Sequence, residues 1–197
     1  MDKKYLTVNY FHYALNDAYT EAMNILDNDP EQPYNIVVID SAGGHVICLN
    51  HLLDLFQGCK KPVITIATSL CASCGLGLFT SANIRIASPR CMFLLHQVSG
   101  SSIGKTSDII SSTKHIEELN DEIAYKLYDK AGNHPEGFTK NLVKENFNAD
   151  LYLSADEMKS YNWCDYIMPM NVALDNIDDI FQEYIVKQKT VNPIIRY

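Results

Sequence analysis

The stretch SLCASCGLG, residues 69–77, contains two residue types that can act as nucleophiles. Cys71 and Cys74 have the Cys-x-x-Cys spacing found in thioredoxin-like dithiols and, in pairs, in zinc sites. Ser73 lies between them, and a serine hydroxyl becomes a nucleophile when a neighbouring base accepts its proton. The segment therefore predicts either thiol chemistry or serine chemistry.

The rest of the sequence weakens two of the thiol interpretations. A structural zinc site usually takes four ligands, and the chain has no second cysteine pair at metal-ligand spacing. A papain-like protease needs a histidine roughly 130–150 residues after its cysteine. Counted from Cys74, that window opens beyond Tyr197. A thioredoxin-like dithiol remains open, because the segment follows a strand-like run.

The serine interpretation depends on the elements around Ser73. The run PVITIAT (62–68) predicts a buried strand, and a helix is expected to begin after the serine. The first turn of a helix has free N–H groups and the positive end of the helix dipole, which suit an oxyanion. Small neighbours leave room for a substrate backbone: Ala72, Gly75 and Gly77. Many serines at helix starts serve only as caps, so a structural role stays open.

The base would be a histidine further along the chain. His96 ends the strand-like run CMFLLH, where a rigid element can direct it into a cleft. His115 lies within a helical pattern, and His134 lies in the loop GNHPEG. His96 is therefore the preferred partner of Ser73.

A second loop, DSAGGH (40–45), follows the strand-like run NIVVID (35–40). Adjacent glycines after a buried strand indicate an unusual backbone or the close approach of a ligand, although a plain tight turn has the same pattern. Loops of small residues at the ends of neighbouring parallel strands form a cleft. We therefore expect Gly43, Gly44 and Ser73 to border one cleft.

Strand-like and helical patterns alternate along the chain, which predicts a single α/β domain with a largely parallel sheet. Further strands are expected over YLTVN (5–9) and NIRIA (83–87). Helical patterns cover residues 19–26, 49–58, 107–131, 138–143, 154–161 and 177–188. The helix over 107–131 would extend about 37 Å at about 1.5 Å per residue.

The composition excludes several classes of partner. Sixteen Lys and Arg against 24 Asp and Glu give a net charge of −8, whereas nucleic-acid binding needs clustered positive charge. No apolar run reaches the roughly 18 residues that span a bilayer, and no signal peptide is expected. We therefore expect a cytoplasmic protein with reduced cysteines and with neither a nucleic-acid nor a membrane partner.

Five motifs, taken together, resemble the proteolytic subunits of the ATP-dependent Clp protease, which are serine peptidases. The Asn-Ser-Pro-Gly-Gly of that family resembles Asp40-Ser41-Ala42-Gly43-Gly44, and its Ala-Ala-Ser-Met-Gly resembles Cys71-Ala72-Ser73-Cys74-Gly75. Its Leu-Pro-Asn-x-Arg…His-Gln resembles ASPRCMFLLHQ, and its Gln-Ala-Thr-Asp-Ile resembles Lys105-Thr106-Ser107-Asp108-Ile109. Its Asp-x-Phe-Leu/Met-Ser-Ala resembles Asp150-Leu151-Tyr152-Leu153-Ser154-Ala155.

This resemblance implies a Ser-His-Asp triad of Ser73, His96 and Asp150, with the backbone N–H groups of Gly44 and Cys74 as the oxyanion hole. It implies a crotonase-like α/β spiral with a head at about 1–97 and 148–170 and a helical handle at about 98–147, followed here by an extra C-terminal helix at about 175–189. It implies no metal and no cofactor.

As partners, the resemblance implies a homo-oligomer of heptameric rings stacked in pairs, unfolded peptide substrates and an AAA+ unfoldase. Val98 and Ile103 are candidate pocket walls. The alternatives are a catalytically silent structural member of such an assembly and a crotonase-type acyl-CoA enzyme.

Four departures from the family pattern lie outside the triad. We therefore expect the triad to be retained and the partnerships to be altered. The chain begins almost at its first core strand, so the N-terminal segment that forms the family's axial pore loops is expected to be largely missing. Ile36 and Val38 replace aromatic residues of the family's ATPase-docking surface, and Ala149 replaces an arginine linked to contacts between rings. The chain also continues past Ile167, where the family pattern ends. We expect the apolar stripe of this extension to pack on its own subunit or, alternatively, to cover the docking surface.

Overall fold

The computed structural model describes residues 3–8, 22, 24–130 and 150–191. The strands within these residues are β1 (Leu6–Val8), β2 (Asn35–Ser41), β3 (Val63–Ala72), β4 (Ile84–Ala87), β5 (Met92–Leu95), β6 (Leu151–Leu153) and β7 (Tyr166–Ile167). The helices are α1 (Val46–Gly58), α2 (Cys74–Ser81), α3 (Thr106–Lys130), α4 (Ala155–Ser160), α5 (Met170–Asp175) and α6 (Ile177–Val191).

The strands form one sheet that is parallel except at one edge. Its main path runs β1-β2-β3-β4-β7, and all four pairings along it are parallel. The first half of β3 pairs with β4, whereas its last residues, Leu70–Ala72, pair with β5. β6 then pairs with β5 in the antiparallel direction. The predicted α/β class with a largely parallel sheet is thus confirmed.

The sheet is buried on both faces, which explains the unbroken apolar runs of β2 and β3. One face packs against α1 and α2 through apolar side chains that include Leu49, Leu52 and Phe79. The other face packs against the C-terminal segment, where Ile177 and Phe181 are buried. The burial of each such side chain stabilises the folded state by about 1.5–3 kcal/mol.

Helix α6 is part of this second core. Ile177, Ile180 and Phe181 pack against residues of the central strands, including Ile36 and Val38. The prediction that this apolar stripe packs on its own subunit is confirmed. Asp178 and Asp179 lie in the first turn of the helix and Lys189 in the last, the charge order that the helix dipole favours.

Most other element predictions agree with the structure within one or two residues. Helix α3 matches the helix predicted over 107–131, and Ser154 forms the expected capping box with Glu157. β3 extends four residues beyond the predicted strand, because its end finds a second partner in β5. The helix predicted over 138–143 and most of that over 19–26 lie outside the described residues.

Candidate active site

Ser73 is the single residue between the end of β3 and the start of α2. Its backbone has φ 56° and ψ −122°, a conformation that L-residues rarely adopt. Its N–H donates to the carbonyl of Leu94 at 2.9 Å, which fixes the turn to the end of β5. Within the described residues its side chain makes no capping hydrogen bond to α2. The interpretation of Ser73 as a side-chain cap of α2 is therefore wrong.

The Gly43–Gly44 loop lies directly against this turn. Both glycines have positive φ, 98° at Gly43 and 150° at Gly44. A Cβ atom on Gly43 would lie 2.6 Å from the Cβ of Ser73 and 3.1 Å from the N atom of Cys74. The predicted unusual backbone is confirmed, and the group that closely approaches Gly43 is the serine turn of the chain itself.

Two hydrogen bonds hold this loop in place. The Gly43 N–H donates to Oγ of Ser41 at 3.0 Å, and Sγ of Cys74 donates to the Gly44 carbonyl at 3.1 Å. The first N–H groups of α2, including that of Cys74, have no acceptor within the helix because of their position. Gly44 and Cys74 therefore border the same space at the positive end of the α2 dipole.

His96 lies on the wall of this same space. It directly follows β5, is partly buried, and shares a cleft of about 140 Å³ with Gly44, Ser73 and Cys74. In the described part of the chain, no hydrogen bond joins the Ser73 hydroxyl to the His96 imidazole. Catalytic hydrogen bonds often close only when substrate binds. His115 is exposed on α3, and His134 lies outside the described residues.

Asp150 directly precedes β6, which pairs with β5. The last antiparallel pair joins Leu95 to Leu151, and continuing this register by one step, beyond the end of both strands, would place Asp150 opposite His96. Opposite residues on such a ladder have Cβ atoms about 4.5–5.5 Å apart and share a face of the sheet. Asp150 is exposed and does not line the cleft, and the described residues contain no hydrogen bond between it and His96.

The structure thus brings Gly44, Ser73, Cys74 and His96 to one cleft, whereas Asp150 lies outside it, directly before the strand that pairs with β5. Apolar residues from three helices also line the cleft, among them Leu49, Leu76 and Ile123. Sequence reasoning missed Leu49 and Ile123, because their helical spacing looks the same as that of core residues.

The two proposed pocket residues have different outcomes. Val98 lines the cleft, as predicted. Ile103 does not, because its side chain is almost wholly exposed in the irregular segment before α3. The prediction for Ile103 is therefore wrong.

The cysteines do not have the features of a redox site. All six are free thiols, and Cys71 and Cys74 are buried. Burial raises the pKa of the Cys71 thiol well above its usual value. Burial also raises the pKa of Cys74, although hydrogen bonds with Gly44 and Ser73 act in the opposite direction. Reactive dithiols have lowered pKa values and exposed sulfur, so the thioredoxin-like interpretation fails.

Two further observations on the described residues concern metal ligands and membrane spans. They contain no group of three or more metal-ligating side chains that could hold an ion. In the same part of the chain, no helix is both long and apolar enough to cross a membrane.

Known proteins are similar to this chain in sequence. The family model described as Clp protease matches residues 10–171. The chain is 30% identical over 125 residues to the ATP-dependent Clp protease proteolytic subunit 3 of Rhizobium meliloti (strain 1021), a match that covers 62% of each chain. It therefore spans less than two thirds of that relative.

Other relatives are covered more fully. The chain is 30% identical over 149 residues to the proteolytic subunit 2 of Prochlorococcus marinus (strain MIT 9312), covering 74% of this chain and 71% of that protein. It is 27% identical over 159 residues to the proteolytic subunit 1 of Chlamydia pneumoniae, covering 79% and 80%. Because the family model matches most of the chain and its glycine and serine loops, this protein belongs to the Clp protease family.

Proposed function

We propose that this chain is a serine endopeptidase that hydrolyses peptides and unfolded polypeptides through an acyl-enzyme. The observation that carries the proposal is the strained Ser73 turn at the start of α2, enclosed by the Gly43–Gly44 loop and sharing its cleft with His96. The family membership supports the same class of activity.

In the proposed mechanism, Oγ of Ser73 attacks the carbonyl carbon of the scissile peptide bond while His96 accepts its proton. The N–H groups of Gly44 and Cys74 donate to the resulting oxyanion. When the C–N bond breaks, His96 gives the proton to the leaving amine, and an ester on Ser73 remains. His96 then activates a water molecule, which releases the acid and restores the hydroxyl.

Asp150 would orient His96 and stabilise its protonated form. The register of the β5–β6 ladder supports this role, because Asp150 and His96 are the next residues after the Leu95–Leu151 pair, and continued pairing would set them opposite each other. The apolar lining of the cleft favours an extended peptide with an apolar side chain near the scissile bond.

We further propose that the chain assembles into heptameric rings stacked in pairs, with catalysis inside the resulting chamber. Large apolar side chains on the described surface support contacts between copies, and they include Met92, Ile103, Ile109, Ile110 and Tyr152. An AAA+ unfoldase is the proposed ATP-dependent partner, in keeping with the names of the relatives. Ile36 and Val38 are buried beneath α6, so such a partner would dock by other contacts.

One observation favours a second candidate, a catalytically silent structural subunit. Within the described residues, Ser73, His96 and Asp150 are not joined by hydrogen bonds. The two candidates differ in whether Ser73 reacts.

Hydrolysis of fluorogenic peptides and of an unfolded protein, measured together with native mass, tests the proposal. Ser73→Ala should abolish turnover, whereas the control Ser69→Ala, at an exposed position on the same strand, should keep it. Turnover that persists in Ser73→Ala would refute the serine mechanism. A native mass equal to one chain of 22.2 kDa would refute the rings.

A further inference from the structure

The segment that leaves His96 has no regular structure of its own. β5 ends at Leu95, α3 begins at Thr106, and residues 96–105 between them run as irregular backbone. The position of the His96 imidazole therefore depends on what holds the start of this segment. An irregular backbone is held in one conformation only where side chains or neighbouring elements satisfy its polar groups.

Asn120 on α3 supplies one such contact. Its Oδ1 accepts a hydrogen bond from the N–H of Val98 at 2.7 Å, two residues after His96. This short bond is partly buried, which limits competition from water. Asn120 itself is not among the residues that line the cleft, so it acts on the site only through the segment.

A second contact lies one turn earlier on the same face of α3. A Cβ atom on Gly100 would lie 2.7 Å from Cδ1 of Ile116, so the segment runs closely against the helix there. Ile116 and Asn120 are four residues apart and therefore share a face of α3. Ile123, three residues further along, lines the cleft itself.

We propose that Asn120 is a positioning residue that fixes the backbone after His96 and thereby holds the imidazole in reach of Ser73. This role rests on the peptidase function proposed above. An error of about 1 Å in the position of a catalytic group can lower the rate by about a hundredfold. Asn120 thus connects α3 to the segment that carries His96. A displacement of α3 would therefore change the rate of peptide hydrolysis although Asn120 does not contact the substrate.

Asn120→Ala removes the acceptor while keeping a residue that favours helix. We expect the rate constant for fluorophosphonate labelling of Ser73 and the kcat for a short peptide to fall by about 10- to 100-fold, with KM changed less than about threefold. Hydrogen exchange in residues 96–105 should become faster. Asn120→Asp, which keeps an oxygen at the same place, should restore most of the rate.

Glu117→Ala is the matched control, because Glu117 is exposed on the same helix, and it should behave as wild type. Wild-type labelling and exchange in Asn120→Ala, or an Asn120→Asp variant as slow as the alanine variant, would overturn the proposal. If the wild-type protein does not react at Ser73, the proposed function fails. Hydrogen exchange in residues 96–105 then decides alone whether Asn120 fixes the backbone after His96. Should Asn120→Ala not fold, Asn120→Ser, whose hydroxyl is too short to reach Val98, gives the same test.

Discussion

Gly43 is a residue at which backbone geometry tightly restricts the sequence. Its φ of 98° strains any L-residue, and an added Cβ would lie 2.9 Å from the Ala72 carbonyl oxygen as well as against Ser73. We expect Gly43→Ala to destabilise the fold by about 1–3 kcal/mol and to lower peptidase activity at least about tenfold. Urea denaturation and peptide turnover measure the two effects.

Gly58→Ala is the control for this substitution. Gly58 ends α1, and a Cβ built on it meets no atom within 4 Å. The control should leave stability unchanged or slightly increased, because alanine restricts the unfolded chain. Equal stability and activity of the two variants would contradict the geometry of the Gly43 loop.

Cys74 contributes its backbone more than its thiol to the proposed chemistry. Burial raises the pKa of the thiol, so little thiolate exists at neutral pH. We expect iodoacetamide to modify Cys74 more slowly than a free cysteine near neutral pH and faster as the pH rises above the usual thiol range. Peptide mapping by mass spectrometry gives the rate.

Cys74→Ala should keep peptidase activity within a few-fold of wild type, because the N–H of residue 74 remains in place. Rapid alkylation at neutral pH would contradict the raised pKa of the thiol. Loss of activity in Cys74→Ala comparable to that in Ser73→Ala would show that the sulfur takes part in the reaction.

At the scale of elements, α6 is joined to the N-terminal segment by a polar cluster. Nζ of Lys3 donates to both carboxylate oxygens of Asp178 and, at 2.7 Å, to the hydroxyl of Tyr34. The Tyr34 hydroxyl also donates to Asp178. These hydrogen bonds from Lys3 and Tyr34 lower the pKa of Asp178 below its usual value.

A carboxyl group whose pKa is lowered in the folded state stabilises the protein above its unfolded-state pKa, and this stabilisation is lost as pH falls through the folded value. Asp178→Asn should therefore reduce the free energy of unfolding near neutral pH. The reduction should be no more than about 1 kcal/mol, because Asp178 is largely exposed. The difference from wild type should vanish in strongly acidic solution.

Urea titrations at a series of pH values measure this difference. Asp179→Asn, one residue along the same first turn and exposed, controls for loss of a charge beside the helix dipole. A destabilisation that is the same at acidic and neutral pH would contradict the ionic role of Asp178.

At the scale of the whole molecule, local patterns in the sequence were enough to predict the α/β class and the place of Ser73. Apolar runs indicate buried strands, and small residues after such a run indicate where the strand ends. β2 ends at Ser41, just before the paired glycines, and β3 ends at Ala72, just before Ser73. The motif order also indicated the family, which the family model matches over residues 10–171.

Features that depend on distant parts of the chain could not be predicted in this way. β3 continues to Ala72 because β5, some twenty residues later, supplies a partner for its end. Asn120 reads as a polar residue on a solvent-facing helix, and nothing in its local sequence indicates its bond to Val98. Ile103 was assigned to the pocket because its segment lies near His96 in sequence, although the side chain is exposed.

Covalent labelling of Ser73 by a fluorophosphonate is the most direct test of the central claim. The hydroxyl would displace fluoride from phosphorus, so the intact mass should rise by one probe adduct per chain, with the adduct located on the peptide that carries residues 69–77. Ser73→Ala should not react, and Ser69→Ala should react as wild type. A wild-type chain that stays unlabelled, or an adduct that persists in Ser73→Ala, would contradict the account.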